Sequence, residues 1–297
     1  MPHPGRRPFY KYVAPDTALA ILENQSIRYS SPLLFNDPFD HQIGLHLDFD
    51  LAKFPQKVVS RLEYLVRNPE IPLRPDADAM GLVLEIMRGK VSTHGFPREA
   101  FLREALPVIT EGCQVIESTR LAFQAHWLES LKANRTLCVT EERDNLLMWA
   151  HYGKDHTGMV LELWSLPEED NALSVSEPVE YASKPPAFFT EDVFLDYFCG
   201  VGQLDMRAHS RRAVYTKSDH WHYEKEWRVY YPESPKPGLF EYNHLRQSEF
   251  AAVFFGCKAD TSFIARATEL LASHYPATKR WAAERESGAY ALNFCEI

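Results

Sequence analysis

Apolar and polar positions change period twice along this chain. Near the start they alternate, as in a strand with one covered face: FYKYV (9–13) and IRYSS (27–31) fit that pattern. Between them Asp16 is placed to cap a short helix reaching about Gln25, with Leu19 and Leu22 on one side. FNDPFD (35–40) then collects Asn, Asp and Pro, the residues of a turn. From about residue 51 to 133 the spacing becomes helical. LAKFPQKVVSRLEYLVR, DADAMGLVLEIMRGK and PREAFLREALPVITEG are separated by proline or glycine, and a further run spans about Val115 to Lys132. This block reads as a helical insertion or cap.

Strand patterns then return at TLCVT (136–140), TGMVLELW (157–164), VSEPVEYA (175–182), HWHYEKEWRVYY (220–231), FAAVFFG (250–256) and YALNFCEI (290–297). DVFLDYFCGVGQLDMRAHSRRA (192–213) is expected to be one helix despite its glycines, and DTSFIARATELLASHY (260–275) a second. Strands and helices mix without regular β-α-β alternation. The expected class is therefore α+β, with residues 1–297 forming a single domain that carries the helical insertion.

If 220–231 is a strand, Tyr223, Lys225, Trp227 and Val229 face one way and His222, Glu224, Glu226 and Arg228 the other. The two carboxylates would then stand roughly 7 Å apart on one face. A solvent-facing ladder paired by Arg228 or by lysines of a neighbouring strand explains them structurally. Without such partners, like charges on one face are kept where a carboxyl needs a shifted pKa or must meet a developing positive charge. MWAHYGKDHTGMVLEL (148–163) offers Met148, Trp149 and Tyr152 either as core residues or, one or two of them, as walls for a flat ligand. NDPFD is either a turn alone or a turn closing over a ligand.

Composition narrows the field. With 297 residues, 45% hydrophobic and 25% charged, the chain has ample core, and its net charge of −9 argues against sequence-blind binding to nucleic acid. No apolar run approaches the ~20 residues that span a bilayer, and MPHPGRRPFYKYV lacks a signal-peptide apolar stretch. Five scattered cysteines without a CxxC pair suit reduced thiols. The expected compartment is the cytoplasm and no membrane association is expected. P-loop, GxGxxG, HExxH and GxSxG patterns are missing. His151 with His156, and His220 with His222, lack a nearby carboxylate or cysteine cluster of ligand spacing, so no metal is assigned.

Taken together, FYKYV, ILENQSIRYSSPLLFNDPFD, LLMWAHYGKDHTGMVLEL and HYEKEWRV resemble a widespread uncharacterised bacterial family with NDPF[DE] and YExEWR signatures. The order of first strand, helix, serine-bearing strand and late ExE strand is in turn similar to ADP-ribosyltransferases. That resemblance implies a mixed-sheet core of the ADP-ribosyltransferase fold and NAD as substrate. It maps the first-strand position to Lys11 or Tyr12, where neither the usual histidine nor arginine stands, the serine to Ser30 or Ser31, and the ExE to Glu224 and Glu226. It implies that Glu226 stabilises the charge that builds on ribose as nicotinamide leaves, while Glu224 orients or deprotonates the acceptor. Arg28 or Lys11 would meet the pyrophosphate, Ser30 the nicotinamide ribose, and Asn36 and Asp37 would border the pocket.

The leading expectation is an NAD-dependent ADP-ribosyltransferase-like enzyme acting on a protein or nucleic acid, in the role of a toxin or phage-defence effector, with an antitoxin or regulatory protein among its partners. NAD glycohydrolase is the near alternative. A non-catalytic partner-binding module is the alternative from another class.

Overall fold

The computed structural model describes residues 5–42, 47–76, 79–94 and 98–297. In chain order the elements are β1 (Arg7–Val13), α1 (Pro15–Asn24), β2 (Ser26–Ser30), α2 (Phe54–Arg67), α3 (Ala79–His94), α4 (Arg98–Ser130), β3 (Arg135–Thr140), α5 (Leu146–His151), β4 (Met159–Ser165), β5 (Glu177–Pro178), β6 (Glu180–Ala182), α6 (Glu191–Phe198), α7 (Met206–Tyr215), β7 (Thr216–Ser218), β8 (Glu226–Tyr231), β9 (Phe240–His244), β10 (Phe250–Phe255), α8 (Thr261–His274), β11 (Lys279–Arg285) and β12 (Leu292–Glu296). The class is α+β, built on a large mixed sheet. Two compact units divide the chain. One comprises Met1–Gln42, Ser130–Lys184 and Tyr215–Ile297, the other Ile43–Glu129 and Pro185–Val214.

The first unit holds a ten-stranded sheet in the order β12-β11-β10-β4-β1-β3-β2-β9, with β8 pairing β3 and β5 pairing β8. Among the described residues of this sheet β10 and β11 run parallel and the other pairs antiparallel, while β6 and β7 form a separate parallel pair. Alternation sorts the side chains of β1 between two cores. Phe9 and Val13 join Leu22 of α1 and Leu271 of α8 on one face. Tyr10 and Tyr12 join Trp149 of α5 and Phe254 of β10 on the other. α8 starts where expected because Asp260 Oδ1 accepts a hydrogen bond from the Ser262 amide at 2.8 Å. The first helix is different: Ala14 precedes it, Pro15 opens it, and Asp16 sits in the first turn rather than capping.

One irregularity of the sheet decides where a ligand can go. β1 pairs with β4 along its whole length, and β3 with β8 along its whole length. β1 and β3 meet only at Tyr10–Thr140, and β2 and β3 only at Ser30–Thr136. The sheet is therefore open between these strands, and side chains from both of its faces reach the gap.

Several sequence expectations need correction. The 220–231 segment is not one strand: Asp219–Glu224 form a 3-10 turn, Lys225 takes the left-handed conformation at φ 42°, and β8 begins only at Glu226. The aromatic density suggested a strand, but Ser218 accepts from the His220 amide and stabilises the turn instead. The single helix over 192–213 is two, interrupted by Gly200 at φ 81°. VSEPVEYA divides between a 3-10 turn and two very short strands. The short strands β7, β9 and β11 were not anticipated, nor was the parallel pairing of β10 with β11 and of β6 with β7.

In the second unit, α2, α3 and α4 fall inside the block of helical spacing, while the portions at 77–78 and 95–97 lie outside the described residues. The run from Val115 does not begin a new helix but continues α4 through Pro107 and Gly112. Phe54, Val58, Leu62 and Leu65 of α2 form its core with Cys199, so residues 185–214 complete a unit that the sequence confined to 51–133. All five cysteines are free. Among the described residues no helix is long and apolar enough to cross a membrane.

The HYGKDHTG segment is held by very close backbone packing. Lys154, Asp155 and His156 all have positive φ, and a Cβ at Gly158 would overlap the carbonyl oxygen of Val13. Backbone cannot retreat as a flexible side chain can. Gly158→Ala should therefore lower stability by about 3 kcal/mol, the upper end of ordinary overpacking costs. Urea unfolding checks this, and a midpoint equal to wild type would show that the β1–β4 pairing yields more readily than the packing indicates.

Candidate functional site

A cavity of about 920 Å³ occupies the opening in the sheet. That is the upper part of the ~300–1,000 Å³ range of small-molecule sites, and enough for an extended ligand. β1 contributes Lys11 and Tyr12 to its wall, β2 Arg28 and Ser30, the turn after β2 Asn36 and Asp40, the end of α5 its capping residue Tyr152, β7 Lys217, and the 219–226 segment Glu224 and Glu226. Eight of the ten residues singled out by sequence thus line one cavity: Lys11, Tyr12, Arg28, Ser30, Asn36, Tyr152, Glu224 and Glu226.

The other two stand away from it. Asp37 is buried in the turn, where its Oδ1 accepts from the Phe39 amide at 2.9 Å, the turn role that its residue type suggested. Trp149 is fully buried, donates Nε1–H to the Arg143 carbonyl at 2.9 Å, and packs edge-on against Tyr12. It supports the wall without touching the cavity, whereas its neighbours Met148 and Tyr152 do reach it. Ser31, the alternative to Ser30, is buried and donates to the Leu131 carbonyl at 2.6 Å.

The two glutamates come together by a route other than strand alternation. Glu224 ends the 3-10 turn, Lys225 reverses direction, and Glu226 begins β8. Lys217 Nζ then bridges them, 2.5 Å from Glu224 Oε2 and 2.9 Å from Glu226 Oε2. Arg228 Nε lies 2.7 Å from Glu226 Oε1, and its Nη2 lies 2.5 Å from Asp40 Oδ2. Tyr152 donates to Glu224 Oε1 at 2.7 Å and accepts from Asn36 Nδ2 at 3.3 Å. Three carboxyls and two cations are therefore linked, nearly all out of contact with water.

This surplus of one carboxyl separates the glutamates electrostatically. Burial resists ionisation of Glu226, but Arg228 and Lys217 overcome it and hold the carboxyl well below the usual range. Burial raises Glu224, Lys217 offsets part of this, and the charge on Glu226 raises it further. Burial also raises Asp40, against the pull of Arg228. One carboxylate thus holds its charge to lower pH while its neighbour binds a proton more readily, the divergence that suits two different roles.

Lys11 donates to the Cys138 carbonyl at 3.0 Å. Its pKa is lowered by burial, an effect that nearby Arg28 adds to and Glu226 opposes. Among the described residues no carboxylate pairs directly with Lys11 or Arg28, so these two cations are available to an anionic ligand.

Sequence reasoning missed Lys217 and Asp40. Lys217 stands seven residues before Glu224 with no motif around it, and only folding brings it to both glutamates. Asp40 was visible as the last residue of FNDPFD but read as part of a turn. Arg228 was noted as a neighbour of the glutamates, although not as a group buried with them. Among the described residues no group of three or more His, Cys, Asp or Glu is arranged to hold a metal ion.

The protein is thus of the α+β class, with a cavity set into an open mixed sheet whose wall combines apolar side chains with a cluster of charged ones. The family described as "Protein of unknown function (DUF2971)" matches residues 148–229, an interval that includes Tyr152, Lys217, Glu224, Glu226 and Arg228. No curated protein and no solved structure matches the chain.

Proposed function

We propose that the protein cleaves the nicotinamide–ribose bond of NAD and transfers ADP-ribose to a protein or nucleic-acid acceptor, as an ADP-ribosyltransferase-like enzyme. The observation that carries this reading is the convergence on one cavity of a fixed carboxylate, a second carboxyl of raised pKa and two available cations. The C–N bond breaks with its electron pair leaving on nicotinamide, and positive charge builds on the ribose carbon. Glu226, ionised and held in direction by Arg228, stabilises that charge. The acceptor's nucleophilic atom forms the new bond, and its proton passes to Glu224. Lys11 and Arg28 hold the pyrophosphate. If water takes the acceptor's place, the same groups make an NAD glycohydrolase.

A second reading has its own support. Lys217 covers both glutamates, and Arg228 occupies Glu226 as well, which is also what a structural ion cluster in a non-catalytic binding module would do. Incubation with labelled NAD separates these readings. Release of free nicotinamide, with label transferred to an acceptor or left as ADP-ribose, is the expected result. Intact NAD after prolonged incubation with folded protein and candidate acceptors would leave the binding module as the better account.

A pH dependence follows from the same geometry. A base must be deprotonated to work, and Glu224 keeps its proton above the ordinary glutamate value of 4.5. Transfer should therefore rise with pH through a limb centred above 4.5, and Glu224→Gln should remove that limb while leaving more of the nicotinamide release. An unchanged limb in Glu224→Gln would show that another group accepts the proton.

A further inference from the structure

The face of β2 and β9 beside the cavity carries side chains that neither the core nor the charge cluster uses. Register pairs Arg28 with Tyr242 and Ser30 with Phe240 across the two strands. Directly opposed residues in an antiparallel pair share a face, so these four stand together. The alternate residues Ile27 and Tyr29 are buried in the core on the other side. Burial thus accounts for that other face and leaves this one unexplained. Phe240 is 45% and Tyr242 58% exposed, their ring centroids 5.7 Å apart at 73°. Arg28 Cζ lies 5.7 Å from the Phe240 centroid, and both Arg28 and Tyr242 line the cavity. Single exposed apolar residues are ordinary. Two adjoining rings beside an available guanidinium, continuous with a cavity, are a surface suited to a flat aromatic group that carries phosphate.

We propose that Tyr242, Phe240 and Arg28 form the subsite for the purine base of the nucleotide, Tyr242 stacking on the base, Phe240, nearly perpendicular to Tyr242, meeting its edge, and Arg28 meeting the phosphate of the same nucleotide. This rests on the cavity being a nucleotide site and goes beyond that reading by assigning which end of the ligand lies where. The glutamate cluster occupies the part of the cavity built by β7 and β8, whereas the rings stand on β2 and β9. A dinucleotide lying with its nicotinamide ribose at Glu226 therefore places its purine at Tyr242. Stacking is indifferent to hydrogen-bonding pattern, so the platform recognises a flat base without demanding one identity.

The test measures binding of ADP-ribose, AMP and nicotinamide mononucleotide to wild type, Tyr242→Ala and Tyr242→Phe by calorimetry, with melting temperature as the control for folding. Tyr242→Ala should weaken ADP-ribose and AMP roughly tenfold or more, the effect of losing one base–aromatic stack. Nicotinamide mononucleotide, which has no purine, should bind as to wild type, and Tyr242→Phe should restore the purine ligands. Unchanged ADP-ribose binding in Tyr242→Ala, or an equal loss for nicotinamide mononucleotide, overturns the assignment. So does wild-type protein that binds neither ADP-ribose nor AMP. Loss confined to a single-stranded oligonucleotide, with ADP-ribose unaffected, also overturns it and moves the rings to the acceptor. Purine binding without nicotinamide release would reject the proposed reaction and leave the subsite standing.

Discussion

Glu226→Gln should lower nicotinamide release from NAD by roughly 10²-fold or more, the scale on which one preorganised electrostatic group acts. Glutamine preserves the shape and removes the charge that meets the ribose cation. The fold should survive, because each cation keeps another carboxylate: Arg228 retains Asp40 at 2.5 Å and Lys217 retains Glu224 at 2.5 Å. Rates are compared per folded molecule, with Glu224→Gln alongside. The proposed division of labour has Glu224→Gln impair label transfer more than NAD hydrolysis, and Glu226→Gln impair both. A wild-type rate from Glu226→Gln would remove Glu226 from the reaction and favour the ion cluster as a purely structural device.

The largest expected effect on stability belongs to Arg228. Its side chain is fully buried and is the close cationic partner of Asp40, which is itself 2% exposed. Lys217 is 3.9 Å from Asp40 Oδ2 and already engaged with both glutamates. Arg228→Met keeps the bulk but strands a buried carboxylate, for which a cost of about 3–5 kcal/mol is expected. Arg266, half-exposed on α8 and paired with Glu269, provides the contrast: Arg266→Met should barely move the unfolding midpoint. If Arg228→Met unfolded at the same urea concentration as wild type, the cluster would be hydrated enough to tolerate the loss, and the pKa separation of the glutamates would lose its basis. Asp40→Asn in the Arg228→Met background should recover part of the stability, since it removes the stranded charge.

Of the strands that carry the site, β1, β2 and β3 were legible because their local pattern agrees with their final position in the sheet. FYKYV reads as a strand with one covered face; its alternation holds, with Phe9 and Val13 on one side and Tyr10 and Tyr12 on the other, but the fold covers both sides. The helical period of 51–133 was legible for the same reason, with Val58, Leu62 and Leu65 recurring on the packed side of α2. The 220–231 segment was misread because its periodicity is ambiguous over so short a run. Its aromatics fit a strand, and the turn at Asp219–Glu224 is set by the Ser218 side chain and by a left-handed Lys225. Residue type alone does not announce either. Of the alternatives left open for the two glutamates, pairing by Arg228 and a lysine is what the structure contains, but buried and not in a solvent-facing ladder, since Lys217 and Arg228 hold them both.

By itself, then, the sequence determined which segments alternate and which repeat at 3.6, that strands and helices mix, and which polar residues have chemistry to offer. Those are consequences of neighbours within a few positions, where backbone geometry dictates which side chains share a face. Tertiary structure alone decided that β1, β2 and β3 part to leave a cavity, since strand separation depends on which partner each strand finds, and β3 takes β8. It alone brought Asp40, Lys217 and Arg228 to the glutamates from distant positions. The pKa of each glutamate follows from that assembly, because the shift depends on the distance to charges and on the exclusion of water, quantities that no local spacing contains.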